Sequence, residues 1–510
     1  MLPSCSRKIP VSIRRVAILP ANILIADPAS EWMRMAIPLV LEQDLATAQD
    51  LVVAAVSGES AAYQIGAANV LRTSATTRSS RFFLDASLID VPTELSQKSF
   101  SESSPSLIYT LDAVAKRIDR RATPFSTHDQ RALQAFATGL SSSDPAAKVQ
   151  KLKDAVAADP SFGLGYIVLV QTLGASNGPD AVAAFHDGEA HRALFSAPDK
   201  VRFDLLGSRL LREPLSAQAS AAASVVKVIP NSTEGLASLA SNLFLLGRGA
   251  EAEPFMRRAL QLNPDEANLR QQFASGLIAV KEFAKAEKIL RGLTSNPAFV
   301  PQLAFCILLE GDEARANKVF DGFVSSVGNP DVKILLRATW QALAGNRQEA
   351  IRQLRSAQFT DPRVTALAQG QVVVWQLLDK QNKAAREVGA AANPVAAMLA
   401  AGASSADEWR QRVDNVPATI ATPEMRSALL RNGYFLLGFY PEAAQAWEAV
   451  DKQAGGADLP SRTMLAASLK GAGKADQAKK VLVQPFLPDL ADFYNAVPFS
   501  QLRLLLGQAG

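Results

Sequence analysis

The chain has 510 residues, of which 48% are hydrophobic and 20% are charged, and 53 Lys and Arg side chains stand against 49 Asp and Glu. This composition is typical of a globular protein and excludes a disordered one. A net charge of +4 without a long basic block gives no reason to expect nucleic-acid binding. Two cysteines exclude a disulfide framework, and three histidines leave little material for a metal site or a histidine-dependent enzyme. We therefore expect no metal and no cofactor.

Residues 1–15 form a basic leader that contains Cys5. The tetrapeptide that ends at Cys5, Leu-Pro-Ser-Cys, resembles the end of a bacterial lipoprotein signal, although Pro3 departs from that pattern. On this hypothesis Met1 is an internal methionine and Cys5 carries a lipid. The alternative is a chance cysteine in a solvated leader. No apolar run reaches the roughly 18–20 residues of a transmembrane helix, so no transmembrane span is expected.

The first predicted domain covers residues 16–121, where short apolar runs alternate with amphipathic segments. The predicted elements are a strand at 16–20, a helix at 30–46, a strand at 51–56, a helix at 59–65, a hairpin of 70–77 with 81–90, a polar strand at 94–100 and a helix at 107–118. This order, β-α-β-α-β-β-β-α, predicts a small α/β domain with a sheet backed by helices.

Short blocks in this domain resemble the TolB-like amino-terminal domain family. These blocks are Val16-Ala17-Ile18-Leu19-Pro20 with Asn22, Asp27-Pro28, Ile65-Gly66, Asn69-Val70-Leu71, and Leu88-Ile89-Asp90 with Thr93. Ala21, Pro38 and the segment 72–74 depart from the family pattern. The resemblance implies a CsgG-like α/β fold that is often followed by tetratricopeptide repeats, and it implies no established catalytic residues.

After a predicted linker at 122–130, prolines recur at nearly constant intervals. Successive spacings from Pro160 to Pro394 are 38, 32, 34, 33, 33, 32 and 32 residues, and six of these prolines follow Asp or Asn. Because proline cannot continue a helix and forces the preceding residue out of the helical region, each one separates two helical pairs. A period near 34 with one helix–turn–helix per repeat is the tetratricopeptide period.

The interior of the repeats fits this period. Between two of the prolines, an apolar face of Leu236, Leu239, Ala240 and Leu243 precedes a turn at Gly247. In the next repeat Lys281 takes the place of that glycine. The chain thus resembles tetratricopeptide repeat proteins over 131–488, with about ten helical pairs, and 489–510 predicts terminal capping helices. The predicted fold class is mainly α: a small α/β domain followed by an α-α superhelical solenoid.

Three sequence features resemble parts of catalytic or metal sites, but none of them is supported by the residues around it. The segment 174–178 matches the G-x-S-x-G nucleophile elbow around Ser176, but the histidines that follow it, His186 and His191, are too close for the usual order of a triad. These two histidines are five residues apart, so a helix would point them to different sides. Cys306 lies among apolar residues and predicts a buried structural thiol. The prediction is that the chain is not an enzyme.

Without a catalytic site, the remaining functional feature is a binding surface. In repeat arrays of this type, the first helix of each pair lines the concave face. The repeat positions project six residues onto this face: Ser241, Gln271, Ser275, Thr339, Asn432 and Phe435. We expect a scaffold for protein or peptide partners, in the bacterial cell envelope if Cys5 is acylated and otherwise in the cytoplasm. The α/β domain is a candidate for self-association. The alternative is a cytoplasmic signalling module of the type attached to bacterial cyclases or kinases.

Overall fold

The computed structural model describes residues 14–25, 27–174, 178–211, 213–264, 266–389, 394–417, 423–453 and 459–481. The predicted lipidation at Cys5 and the predicted capping helices at 489–510 lie outside these residues. The chain divides into two compact units. One holds the chain to Glu213 with Ala217–Leu239 and Phe255–Asp265, and the other holds Pro214–Ser216, Ala240–Pro254 and the chain from Glu266.

The amino-terminal part of the first unit is an α/β layer with a mixed sheet. Its elements are β1 (Arg14–Ile18), β2 (Asn22–Ile23), α1 (Met33–Asp44), β3 (Leu51–Ala55), α2 (Glu59–Gln64), β4 (Asn69–Arg78), β5 (Arg81–Asp90), β6 (Ser96–Ser104) and α3 (Leu107–Ile118). The strand order is β3-β1-β4-β5-β6, with β2 beside β4. Strand β1 is parallel to β3 and β4, whereas β4, β5 and β6 are antiparallel. The predicted order of elements is confirmed, except that the two-residue strand β2 was not expected.

The remainder of the described chain consists of eleven helical pairs. They are α4 (Gln130–Ser141) with α5 (Pro145–Ala158), α6 (Gly163–Gly174) with α7 (Gly178–His191), α8 (Ala197–Leu210) with α9 (Leu215–Val228), α10 (Thr233–Leu245) with α11 (Gly249–Leu262), α12 (Ala267–Ala279) with α13 (Phe283–Arg291), α14 (Val300–Glu310) with α15 (Glu313–Ser326), α16 (Pro330–Leu343) with α17 (Arg347–Ser356), α18 (Pro362–Leu378) with α19 (Asn382–Gly389), α20 (Pro394–Ala401) with α21 (Ala406–Asp414), α22 (Pro423–Leu436) with α23 (Tyr440–Gln453), and α24 (Leu459–Gly471) with α25 (Ala475–Val481). The predicted fold class, mainly α with a small α/β domain before helical repeats, is confirmed.

At two of the recurring prolines, the residue before the proline caps the first helix of a repeat. Asn329 accepts hydrogen bonds from the backbone N–H groups of Asp331 and Val332, and Pro330 is the first residue of α16. Asp361 caps α18 in the same way, with Pro362 in the first turn. An Asn or Asp side chain satisfies an unpaired N–H at a helix start, and proline tolerates this position because it has no N–H to lose. Asn296 caps a short 3-10 helix at Pro297–Phe299 in the same way, whereas Asp159 lies at the carboxyl end of α5.

The turns inside the pairs share one backbone feature. In the eight consecutive pairs from α10/α11 to α24/α25, one turn residue has a positive φ, between 59° and 101°. Six of these residues are glycines, and the other two are Lys281 and Lys380. Lys281 was predicted to replace a turn glycine, and its φ of 63° confirms that it occupies the left-handed conformation.

Within the first unit the sheet and the first helical pairs share one hydrophobic core. This core runs from Val16 on β1 to Phe203 on α8, and a small separate cluster of the same layer contains Ala17, Leu19, Ala62, Ala67 and Val70. In the segment 122–130, predicted as a linker, the side chains of Ala122, Phe125 and Thr127 are buried. Helix α1 of the α/β layer packs against α4 of the first pair. The sheet layer therefore covers the apolar face that the first repeat would otherwise expose.

Polar contacts tie the same layer to later helices of the unit. The side-chain amide of Asn231 donates to the carbonyl oxygens of Ala48, Gln49 and Leu51 at 3.1, 3.1 and 2.8 Å. These carbonyls lie at the start of β3, the edge strand of the sheet. The Arg202 guanidinium on α8 contacts the Gln43 side chain on α1. The chain segment before β3 is thus held by a residue almost two hundred positions away.

A buried pair of carboxyl groups lies beside this junction. Asp44 is 1% exposed, and Asp112 on α3 accepts a hydrogen bond from the backbone N–H of Phe125 at 3.2 Å. Burial, and then the neighbouring carboxyl of Asp112, raise the pKa of Asp44 well above its ordinary value, while Lys116 acts in the opposite direction. Asp44 is therefore protonated at a pH at which an exposed aspartate is charged.

We predict opposite effects for alanine at two glycines of the α14/α15 pair. Gly311 has a φ of +101° and Gly322 lies inside α15, and an added Cβ meets no atom within 4 Å at either position. Gly311→Ala should lower stability by about 1 kcal/mol, because only the backbone conformation is strained. Gly322→Ala should raise it by about 1 kcal/mol through helix propensity. Thermal unfolding followed by circular dichroism measures both shifts, and shifts of the same sign would contradict the assigned turn.

We predict that Asp44 makes the protein less stable as the pH rises. Because the folded pKa is raised, the stabilising protonated form is fully present below the ordinary carboxyl pKa of about 3.9 and is lost as the pH rises through the folded pKa. Asp44→Asn stays neutral, so its thermal midpoint should fall less than that of the wild type as the pH rises from about 3.9 through the raised folded pKa. Asp85→Asn, at an exposed position of β5, is the matched control. Parallel pH profiles for the wild type and Asp44→Asn would refute the role of this carboxyl.

A candidate binding cleft between α15 and α16

The six residues predicted for the concave face lie on first helices, but they differ in accessibility. Asn432 is exposed, and Ser241, Gln271 and Ser275 are half-buried. The Ser275 hydroxyl accepts a hydrogen bond of 2.7 Å from the Gln302 side-chain amide. Thr339 and Phe435 are only 1% and 3% exposed, and the Thr339 hydroxyl donates to the Leu335 carbonyl. Burial leaves these two side chains without a surface for a partner, so we do not propose them as partner contacts.

The described residues around the possible nucleophile elbow, and the two histidines that follow it, lie in the helical pair α6/α7. Tyr166 to Leu173, which could have been the strand before a nucleophile elbow, lies in α6, and Ser176 is outside the described residues. His186 contacts Glu189, whereas His191 contacts the Asp187 carbonyl and stacks on Tyr166. Within the described ranges, no group of three or more His, Cys, Asp or Glu side chains is placed to hold a metal ion.

The predicted burial of Cys306 is confirmed. Its side chain is 0% exposed, and its Sγ lies 3.5 Å from the Phe283 carbonyl oxygen. Burial raises the pKa of the Cys306 thiol to about 12. The thiol is therefore protonated and unreactive at neutral pH.

A comparison of four consecutive first helices reveals a site that the sequence interpretation missed. The residues eight and four positions before the left-handed turn residue are Leu239 and Leu243 in α10, Phe273 and Leu277 in α12, Leu303 and Ile307 in α14, and Arg337 and Gln341 in α16. The first six of these side chains are buried core residues, between 0% and 6% exposed. Arg337 is exposed and Gln341 is half-buried. The fourth helix therefore carries polar residues where its predecessors carry core residues.

A cleft of about 260 Å³ opens at this point between α15 and α16. Its lining is Glu313, Asn317, Phe320 and Asp321 from α15, Arg337, Trp340, Gln341 and Ala344 from α16, and Asn346 from the following turn. The rings of Phe320 and Trp340 stack with centroids 4.3 Å apart at an interplanar angle of 9°. The Trp340 indole N–H donates to the Asn317 side-chain oxygen at 2.6 Å. The aromatic wall of the cleft is thus fixed in orientation.

The polar groups of the cleft are poised for a ligand with hydrogen-bond donors. The Gln341 Oε1 atom is buried, and among the described residues it has no hydrogen-bond partner. A buried acceptor without a donor costs free energy, which a ligand donor would recover. Glu313 and Asp321 are exposed carboxylates at the rim, opposite the single guanidinium of Arg337. With two carboxylates and one guanidinium, the charged side chains that line the cleft carry a net charge of −1.

Helix α16 is held firmly at its amino-terminal end. The Asp331 carboxylate accepts hydrogen bonds from the backbone N–H groups of Thr360 and Asp361, at 2.7 and 2.8 Å, and from the Thr360 hydroxyl at 2.8 Å. The Asp361 N–H and the two Thr360 groups lower the pKa of Asp331, because all of them stabilise the charged carboxylate. The cleft is therefore built on a helix whose position is set by the next repeat.

Comparisons with known proteins extend to architecture alone. No protein-family model matches the sequence, and no curated protein matches it either. A tetratricopeptide repeat protein from Parabacteroides merdae is 13% identical with a TM-score of 0.35, and the match covers 46% of this chain and 97% of that one.

Two further solved structures are similar at the same low level. The APC/C hetero-tetramer Cut9-Hcn1 shows 14% identity and a TM-score of 0.28, covering 78% of this chain and 80% of that chain. The P58(IPK) TPR domain shows 13% identity and a TM-score of 0.18, covering 74% and 96%. These similarities carry no argument about function. From its own eleven described helical pairs and their period, the chain is a helix–turn–helix repeat protein, similar in that architecture to tetratricopeptide repeat proteins.

Proposed function

We propose that this chain is a non-catalytic scaffold that binds protein partners through its helical repeats. The observation that carries the proposal is the replacement of two core positions by Arg337 and Gln341, with a cleft in the space between α15 and α16. At the interface between α15 and α16, core residues are replaced and polar groups line the gap. This pattern is typical of a site kept for binding rather than for stability.

The chemistry of the cleft favours a peptide side chain with a basic head and an apolar stem. Gln341 Oε1 would accept a hydrogen bond from the head, while the Glu313 and Asp321 carboxylates would balance its charge. The stem would pack against the part of the Trp340 side chain that lines the cleft. Ser241, Gln271, Ser275 and Asn432 remain proposed contacts for the rest of the partner.

The cellular setting is a separate proposal. The pattern at Cys5 and the TolB-like blocks support a lipid-anchored protein of the bacterial envelope, whereas the alternative is a cytoplasmic signalling module. We keep the proposed boundaries of the α/β domain at 16–121 and of the repeats at 131–488. Among the residues that the structure describes, no helix is both long enough and apolar enough to cross a membrane.

Apolar substitutions that fill the cleft should weaken partner binding while they raise the stability of the fold. Arg337→Leu combined with Gln341→Leu restores the apolar residues of the preceding repeats, so the thermal midpoint should rise, by about 1–2 kcal/mol of added stability. The same variant should retain fewer partners than the wild type when the tagged chain is isolated from its native cells. Circular dichroism and quantitative mass spectrometry measure the two effects.

Lys318→Leu is the matched control for this experiment, because Lys318 is an exposed cation of α15 outside the cleft lining. It should leave both the midpoint and the set of partners unchanged. A double variant that is more stable and retains every partner would show that the cleft does not bind. A double variant that is less stable would show that the repeat comparison is wrong.

Lipidation can be tested directly at Cys5. If the envelope proposal is right, cells that express the natural gene with its upstream sequence should incorporate labelled palmitate into the protein, and Cys5→Ser should abolish the label. Cys306→Ser serves as the control, since that buried thiol should not affect labelling. An unlabelled wild-type protein would favour the cytoplasmic alternative.

A further inference from the structure

The sheet ends in a strand whose outer edge is open. Strand β6 pairs with β5 in one register from Phe82↔Ser104 to Leu88↔Lys98, and the register then shifts by one residue to Ile89↔Ser96. It is the last strand in the order β3-β1-β4-β5-β6. Among the described residues, no other strand pairs with it. Its nine residues contain no proline, and most of them are exposed. Such an edge presents N–H and C=O groups with which another strand can pair, and in β6 the Ser103 carbonyl accepts a hydrogen bond from the Arg81 side chain at 3.1 Å.

The sequence of β6 is nearly symmetrical about its centre. Counting outward from Phe100, the strand places serine at 99 and 101, opposite charges at Lys98 and Glu102, and small or polar residues at 97 and 103 and at 96 and 104. Two copies of such a strand, paired antiparallel about Phe100, would place each Lys98 opposite the Glu102 of the other copy. A parallel pairing in register would place like charges beside each other. The sequence therefore favours the antiparallel self-pair.

The side chains of Lys98, Phe100 and Glu102 lie on the face of the sheet that is packed against the core. Lys98, Phe100 and Glu102 pair with Leu88, Ala86 and Leu84 of β5, which are at most 2% exposed and belong to the core of the first unit. Cross-strand partners share a face of the sheet. Phe100 is only partly buried and packs at the border of this core. In a self-pair, the two Phe100 rings would meet and join the cores of the two copies.

We propose that β6 is a homodimer interface, in which the β6 strands of two copies of this chain pair antiparallel about Phe100. The occupant is a second copy because the strand's own charges are complementary under the two-fold rotation, as an isologous interface requires. Glu102 also accepts a hydrogen bond from the Arg117 side chain of α3 at 2.8 Å. A carboxylate has two oxygens, so Glu102 can hold Arg117 of its own chain and Lys98 of the other copy together.

The test is a complementation of charges in the full chain. Lys98→Glu places glutamate opposite Glu102, and Glu102→Lys places lysine opposite Lys98. Each variant should weaken the dimer by roughly tenfold or more, because attractive cross-strand pairs become repulsive twice per interface. An equimolar mixture should restore the dimer, since each Glu then faces a Lys. Sedimentation velocity across a concentration series measures the dissociation constants.

Controls distinguish the interface from a folding defect and from other occupants. Lys153→Glu changes an exposed lysine of α5 and should leave the dimer unchanged. Circular dichroism should show the same helix content in every variant. A wild-type chain that stays monomeric at all soluble concentrations would overturn the proposal, including the case in which another segment of the same chain covers β6. A dimer that neither charge reversal weakens, or single variants that fail to recombine, would also overturn it.

Discussion

The structure depends on one constraint: a helical pair buries its apolar stripe only when a neighbour covers it. At the start of the repeats that neighbour is the α/β layer, because its core continues from Val16 through the first pairs to Phe203. The three carbonyls held by Asn231 lock the layer to later helices of the same unit. The sheet is therefore part of the first repeats' core, and residues 122–130 are packed into it through Ala122, Phe125 and Thr127.

The cleft shows what happens where this constraint is relaxed. Successive first helices place Leu, Phe or Ile at two facing positions, and α16 places Arg337 and Gln341 there instead. The interface does not collapse, because the stacked rings of Phe320 and Trp340 and the hydrogen bonds of Asp331 hold the helix from other sides. A gap held open by rigid neighbours is pre-organised, so a ligand would pay little to order it.

Much of the architecture could be predicted because it depends on local chemistry. Proline spacing predicted the repeat length, and the Asx-Pro pairs were found as helix caps at Asn329 and Asp361. The turn conformation at Lys281 followed from the repeat alignment. The strand β2 escaped prediction because two residues have no periodicity, and it forms only through its neighbour β4. Burial of Thr339 and Phe435 also depends on packing by other repeats, which an idealised projection omits. Arg337 and Gln341 were visible in the sequence, and aligning the repeats on their turn residues would have found them.

The open interface between α15 and α16 also bears on cooperativity. In a linear array, the coupling between neighbouring repeats decides whether the molecule unfolds in one step or in segments. A pair of apolar residues is missing from this junction, so we expect weaker coupling there and partly independent hydrogen exchange in the repeats on its two sides. A peptide that fills the cleft supplies the missing contact surface. On the proposed function, a bound ligand would couple the repeats on the two sides of this junction, and the occupied array would unfold as a longer cooperative unit than the empty one.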